Sequence, residues 1–121
     1  MTKPIAIILG EPNSISSEII FKAWLKKKKF KHLPCLVIGN YNLLYRHLKY
    51  FKFNLKLKLI EKNFKLEDLI GTAIPVIDIK YNQKKIFEKI SKKSNKFILN
   101  SFSEGLNLLK QNKILGIING P

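Results

Sequence analysis

Five apolar residues, Ile5-Ala6-Ile7-Ile8-Leu9, run straight into Gly10-Glu11-Pro12, and a helix-like start, Ser16-Ser17-Glu18-Ile19-Ile20, follows directly. A short apolar run closed by turn residues reads as a strand buried on both faces, the kind that parallel sheets use. Its crossover helix begins beyond the strand's carboxyl end, where open α/β sheets gather their ligands. Gly10, Glu11 and Pro12 are therefore the first candidate loop residues. Gly ends the strand where the backbone must turn, Pro sets the exit, and the next helix offers free N–H groups to an anion. A second run of this type, Ile114-Leu115-Gly116-Ile117-Ile118, precedes Asn119-Gly120-Pro121.

Between these runs the pattern alternates. Strands are predicted over 4–9, 33–38, 53–59, 75–79 and 114–118. The third alternates Phe53, Leu55, Leu57 and Leu59 with Asn54, Lys56 and Lys58, which marks an edge strand with one wet face and lysines that discourage further pairing. A helix is predicted over 14–28, with Ile15, Ile19, Ile20, Ala23 and Trp24 on its apolar face, Ser14 or Ser16 as cap and Glu18 in its first turn. Lys26–Lys29 close that helix, where cations are favourable. A second helix, 41–51, carries Leu43, Leu44, His47 and Leu48. From 83 to 111 the pattern is helical with a break near Ser94-Asn95, and Phe97, Ile98, Phe102, Leu106 and Leu109 form the stripe of its last part. The greatest irregularity and mobility are expected over 82–95. Strands alternating with helices of ten or more residues predict βαβ units, hence an α/β fold with a mainly parallel sheet flanked by helices.

With 121 residues and 45% hydrophobic content the chain makes one domain at most, with a real core. No apolar run approaches the roughly 18–20 residues of a membrane-spanning helix. The first run is too short for an export signal, so a cytoplasmic protein is expected. The net charge of +15 raises nucleic acid or an anionic surface as a partner. Of the 23 basic residues only Arg46 is arginine, however, and the lysines are spread along the whole chain. Bidentate phosphate and base recognition favours the arginine fork, so most of this charge is read as solvated surface.

The residues offer no complete catalytic constellation. His32 and His47 are the only imidazoles and form no metal-ligand spacing; both are read as surface or helix-boundary residues. Cys35, the single cysteine, is read as a buried inert thiol. Glu67-Asp68 reads as a solvated turn, and Ser101 and Ser103 have no partner to activate them. Neither Gly-x-Gly-x-x-Gly nor a phosphate loop occurs.

The opening Ile7-Ile8-Leu9-Gly10-Glu11-Pro12 with Ile15 and Ser17-Glu18-Ile19 resembles the start of the 4-hydroxythreonine-4-phosphate dehydrogenase family of pyridoxal phosphate (vitamin B6) biosynthesis. Those proteins begin with a strand and Gly-Asp/Glu-Pro-Ala-Gly-Ile-Gly-Pro-Glu. The close is similar too, with a helix over 103–110 and a strand ending Asn119-Gly120-Pro121 where the family has Thr-Gly-Pro. Asn13-Ser14 and Ser16-Ser17 depart from the family's Ala-Gly and Gly-Pro, which restricts close backbone approach at the turn.

The resemblance implies that residues 1–121 are the N-terminal portion of a dehydrogenase α/β domain in an isocitrate/isopropylmalate-dehydrogenase-like two-domain fold, with the rest of the family's chain absent. It implies oxidation and decarboxylation of 4-phosphohydroxy-L-threonine, a small phosphorylated amino acid, with NAD or NADP. A divalent metal (Zn, Mg or Co) would act as Lewis acid in a homodimer. The family's metal-binding histidines lie beyond this stretch, so neither a metal ligand nor a catalytic residue is expected here. The segment alone is expected to be inactive, and only Gly10, Glu11 and Pro12 carry over, as substrate- or cofactor-loop candidates. Two alternatives remain, a small basic α/β module binding nucleic acid or another polyanion and a non-functional truncated remnant.

Overall fold

The computed structural model describes residues 2–27 and 33–120. Five strands, β1 (Ile5–Ile8), β2 (Cys35–Gly39), β3 (Leu57–Ile60), β4 (Ile74–Asp78) and β5 (Gly116–Asn119), form one sheet in the order β3-β4-β2-β1-β5. Every pairing is parallel. The two runs that open and close the sequence are neighbours, with Ile5 opposite Gly116 and Ile8 opposite Asn119. The α/β parallel architecture is thus the one the alternation of strands and helices predicts.

Among the described residues three α-helices cover the sheet: α1 (Ser16–Leu25), α2 (Tyr41–Phe51) and α3 (Asn95–Lys110). Helices α1 and α2 pack against each other, whereas α3 lies on β1 and β2. The central strands are covered on both faces, so Leu36, Val37, Ile38 and Val76 are fully buried. Asn40 caps α2 by accepting from the Leu43 N–H at 3.0 Å, and its amide donates to the Ile79 carbonyl at 2.9 Å. Lys52 and Asn112 end α2 and the turn after α3 in the left-handed region, each with φ 58°.

Several sequence expectations need correction. Residues 83–91 form no helix; they run irregularly and a 3-10 turn, Lys92–Ser94, leads into α3. The inward face of α3 is Phe97, Ser101, Glu104, Gly105 and Leu108, while Leu106 and Leu109 are exposed. Likewise α1 buries Ser17, Ile20, Phe21 and Trp24, and leaves Ile15, Ile19 and Ala23 outside. Small Ser and Gly residues let each helix sit close to its neighbours, so the inward face of each contains polar and small side chains that an apolar-stripe reading skips. β3 is an edge strand as expected, yet Leu59 is exposed and Ile60 buried. Cys35 is only half-buried, and burial raises its thiol pKa against the opposing charge of Lys27. His32, Lys28, Lys29 and Lys31 lie outside the described residues, so the expectations placed on them do too.

Candidate functional site

The carboxyl ends of β1, β2, β4 and β5 meet along one edge, and the Gly10-Glu11-Pro12 turn lies there. Gly10 adopts φ 78°, a left-handed conformation in which a side chain is strained. Pro12 is buried and Glu11 half-buried. The Glu11 carboxylate accepts from the Asn13 N–H at 3.1 Å and from the Ser94 hydroxyl at 2.8 Å. The Ser14 N–H donates to the Glu11 carbonyl, and the Ser16 N–H donates to the Ser14 hydroxyl oxygen at 3.1 Å. The Asn13, Ser14 and Ser16 amides are therefore engaged by groups of the turn itself. Through these bonds the Glu11 carboxylate ties the turn to Ser94 at the end of the irregular segment.

β5 closes on the same turn. The Gly120 N–H donates to the Ile8 carbonyl at 2.9 Å, and a Cβ at Gly120 would stand 2.6 Å from the Leu9 carbonyl oxygen and 2.7 Å from the Ser16 hydroxyl. Backbone cannot yield as a side-chain tip does, so only glycine fits. Gly120→Ala is expected to release the end of β5 at a cost of about 1–3 kcal/mol, the range of overpacked sites. Urea melts with amide exchange at residues 116–120 check this, and unchanged exchange there would contradict it.

The irregular segment from Tyr81 to Ser94 folds back over this edge through side chains that sequence reasoning left unused. Gln83 is buried, and its amide nitrogen donates to the Asn13 side-chain oxygen at 2.8 Å and the Lys85 carbonyl at 3.0 Å. Its amide oxygen accepts from the Asn13 side-chain nitrogen at 3.0 Å and from the Tyr81 hydroxyl at 3.1 Å. Asn13 also accepts from the Glu88 N–H at 2.8 Å. The Arg46 guanidinium donates to the Gln83 and Lys84 carbonyls. At the exposed end, a hydrogen bond from Lys93 at 3.2 Å holds the Glu88 carboxyl below its ordinary pKa.

His47 is the main correction to the site residues. Far from lying on the surface it is fully buried, stacked on Phe87 with ring centroids 4.3 Å apart. Its Nε2 lies 2.7 Å from the Ile86 carbonyl and its Nδ1 2.8 Å from the Ser17 hydroxyl. A carbonyl only accepts, so Nε2 carries the proton and Nδ1 accepts from Ser17. Burial lowers the His47 pKa; the bond to Ile86 opposes this and the nearby Arg46 charge adds to it. A neutral imidazole with both nitrogens engaged ties α1, α2 and the irregular segment together. The only sequence signal was its position at the spacing of Leu43, Leu44 and Leu48.

Among the described residues no three His, Cys, Asp or Glu side chains stand together in a way that could hold a metal ion. The residues described thus do not fit a divalent cation. The Asn13, Ser14 and Ser16 amides of the Gly10 turn are likewise already engaged and not open to a dinucleotide pyrophosphate. A groove of about 540 Å³ lined by Trp24, Lys27, Leu55 and Thr72 lies at the opposite, amino-terminal edge, where the Trp24 indole N–H donates to the Thr72 carbonyl ahead of β4. It is therefore remote from the candidate loop. Among the described residues no helix is long and apolar enough to cross a membrane.

No family profile matches the chain. It is 24% identical over 119 residues to the 4-hydroxythreonine-4-phosphate dehydrogenase of Zymomonas mobilis, an alignment covering 98% of this chain and 34% of that enzyme. A solved structure assigned as a 4-hydroxythreonine-4-phosphate dehydrogenase from Salmonella typhimurium superposes with a TM-score of 0.81 at 25% identity, over 98% of this chain and 37% of that one. A 4-hydroxythreonine-4-phosphate dehydrogenase from Burkholderia phymatum shares the fold with a TM-score of 0.81 at 18% identity, over 98% of this chain and 36% of that one. The chain therefore resembles an N-terminal segment of these dehydrogenases and spans about a third of their length.

Proposed function

We propose that this chain is the N-terminal segment of an NAD- or NADP-dependent dehydrogenase that oxidises 4-phosphohydroxy-L-threonine in pyridoxal phosphate biosynthesis, cytoplasmic and homodimeric when complete. The observation that carries the reading is the continuous likeness over 98% of the chain in both sequence and fold. It is supported by the place of the Gly10 turn, at the sheet edge where α/β proteins bind ligands.

In this reading the segment contributes one wall of a cleft rather than reacting groups. Gly10 supplies the turn, Pro12 anchors it, and Glu11 orders it through Asn13 and Ser94. Bound at the complete site, the nicotinamide cofactor would accept a hydride and the metal would polarise oxygen. The ligands for both are assigned to residues outside these 121, since among the described residues no three His, Cys, Asp or Glu side chains stand together.

The test is spectroscopic. The 121-residue chain, incubated with 4-phosphohydroxy-L-threonine, NAD or NADP and a divalent metal ion, is expected to form no reduced nicotinamide above the blank. A chimera in which it replaces the aligned third of the Zymomonas mobilis enzyme is expected to form it. Turnover by the isolated chain would contradict the division of labour, and a folded but inactive chimera would contradict the function. The polyanion reading turns on whether Lys26–Lys29, Lys31 and Lys49 share a face, and Lys28, Lys29 and Lys31 of that cluster lie outside the described residues.

A further inference from the structure

Between β4 and α3 the chain crosses the carboxyl edge of the sheet, and residues 84–91 do so without regular structure. They are held mainly by hydrogen bonds. The Lys84 carbonyl accepts from Arg46, and the Lys85 and Ile86 carbonyls accept from the Gln83 amide at 3.0 and 3.3 Å. The Glu88 N–H donates to the Asn13 side-chain oxygen at 2.8 Å. Little apolar surface is buried, since Ile86 and Phe87 are half-buried and Ile90 is 61% exposed. Both flanks are firmly attached, Tyr81 by its ring against Phe97 at 4.9 Å and Ser94 by its bond to Glu11 at 2.8 Å. A segment of this kind opens at a lower free energy than the sheet beneath it.

His47 lies directly under it, and the segment completes its burial. Phe87 covers the ring face and the Ile86 carbonyl takes the Nε2 proton, while Ser17 of α1 donates to Nδ1 and Phe51 of α2 meets the ring edge-on. Among the described residues no carboxylate is set against this ring. From α1 comes only the Ser17 hydroxyl, Glu18 being paired with Lys22 at 2.9 Å. From α2 comes Arg46, whose charge opposes a second one. From the segment come the carbonyl and Phe87, Glu88 being paired with Lys93 at 3.2 Å. Its other charged residues, Lys84, Lys85 and Lys89, are exposed cations. A proton added at Nδ1 therefore sets two donors against each other until the Ser17 hydroxyl turns, and leaves a cation in a dry site. Water reaches the ring most cheaply by lifting the segment, because α1 and α2 are fixed by the core through Phe21, Leu44 and Leu48.

We propose that residues 84–91 are a proton-gated strap: protonation of His47 lifts them off the carboxyl edge and uncovers the start of α1 beside the Gly10 turn. The hinges are Gln83, which keeps its bonds to Asn13 and Tyr81, and Ser91, whose hydroxyl accepts from the Lys93 N–H ahead of α3. Opening exposes His47, Ser17 and the Asn13 oxygen that Glu88 had bound. The other titrating groups at the strap do not supply the trigger. The bond from Lys93 holds Glu88 below the usual carboxylate range, and burial holds the Tyr81 hydroxyl above its ordinary value. Neither changes charge where an imidazole titrates, at about pH 6.5. The strap governs access to this edge whichever ligand binds there, so it stands apart from the assigned reaction.

The test is amide exchange and ring titration by NMR on the 121-residue chain between about pH 7.5 and 5, with rates corrected for intrinsic exchange. The Glu88 amide reports the strap, and the Ile79 amide, bonded to the Gly39 carbonyl at 2.7 Å, reports the sheet. Glu88 is expected to be roughly a hundredfold less protected than Ile79 and insensitive to low urea, as a local opening exposes little surface. Its protection should fall up to about tenfold per pH unit below about 6.5, and this fall should vanish in His47→Phe. Phe87→Ala removes a half-buried ring from the strap, leaves the core intact, and should move the His47 titration up toward its ordinary value. Equal protection and equal urea dependence at Glu88 and Ile79 would overturn the strap as a separate unit. A pH-independent Glu88 amide, or a fall that persists in His47→Phe, would overturn the gate. So would a His47 titration that Phe87→Ala leaves in place, a readout that holds even where His47→Phe does not fold.

Discussion

Replacing His47 with alanine is expected to destabilise the fold by about 4 kcal/mol, combining a buried-ring cavity with two lost hydrogen bonds. The ring is fully buried, stacks on Phe87, and bonds Ser17 and the Ile86 carbonyl. Removal takes its acceptor from the Ser17 hydroxyl and leaves the Ile86 carbonyl only the longer bond from the Gln83 amide at 3.3 Å. His47→Phe fills the volume and keeps the stacking, so it should recover part of the loss but not the share owed to hydrogen bonding. The pH dependence separates these contributions further. The folded pKa of His47 is lowered, chiefly by burial. Above the unfolded value of about 6.5 both states hold a neutral ring, and its contribution is complete. As pH falls below that value the unfolded chain gains a proton that the folded chain resists. Stability should then decline by up to about 1.4 kcal/mol per pH unit until the folded pKa is reached. Urea titrations of wild type and His47→Phe between pH 7.5 and pH 5 (about one unit either side of an imidazole pKa) measure the difference. Parallel curves for the two proteins would show that His47 is not held neutral.

The second large effect is expected at Gln83. Its side chain makes two hydrogen bonds with Asn13, accepts one from Tyr81 and donates to backbone carbonyls. Gln83→Ala should cost about 3 kcal/mol, since several buried polar groups lose their partner at once. The loss should be concentrated where residues 82–91 cross the sheet edge, read as faster amide exchange there. The reciprocal amide pair also predicts a coupling of about 1–2 kcal/mol in a double-mutant cycle between Asn13→Ala and Gln83→Ala. Strictly additive effects would mean that the two side chains are held independently. Because Asn13 belongs to the Gly10 turn, loosening Gln83 should also loosen the candidate loop.

These two residues mark where the sequence was silent. Gln83 and Asn13 are 70 positions apart, and nothing local in Asn82-Gln83-Lys84-Lys85 distinguishes a buried hub from a solvated turn. The sequence predicts a helical pattern from 83 onward together with the greatest irregularity over 82–95, and only the irregularity is realised before Lys92. In the fold Phe87 stacks on His47 instead, and Ile90 is exposed. Tertiary hydrogen bonds at the sheet edge outweighed a weak propensity. The apolar stripe of α3 was misassigned for a related reason. Two adjacent faces of that helix are rich in apolar residues, one toward β1 and β5 and one toward open space, and periodicity cannot tell them apart.

What the sequence determined by itself is the α/β parallel architecture, the edge position of β3, the helix over 41–51 and the Gly10 turn. These follow from local signals: continuous apolar runs suit strands buried on both faces, and Gly, Pro and Asn punctuate their ends. The likeness to 4-hydroxythreonine-4-phosphate dehydrogenases was legible there too, through the order of an opening and a closing motif. Only the tertiary structure decided that Gly120 stands against Leu9 and Ser16. It alone placed His47 neutral in the interior. Each of those depends on which distant groups share one desolvated space, and that is set by packing rather than by neighbours along the chain.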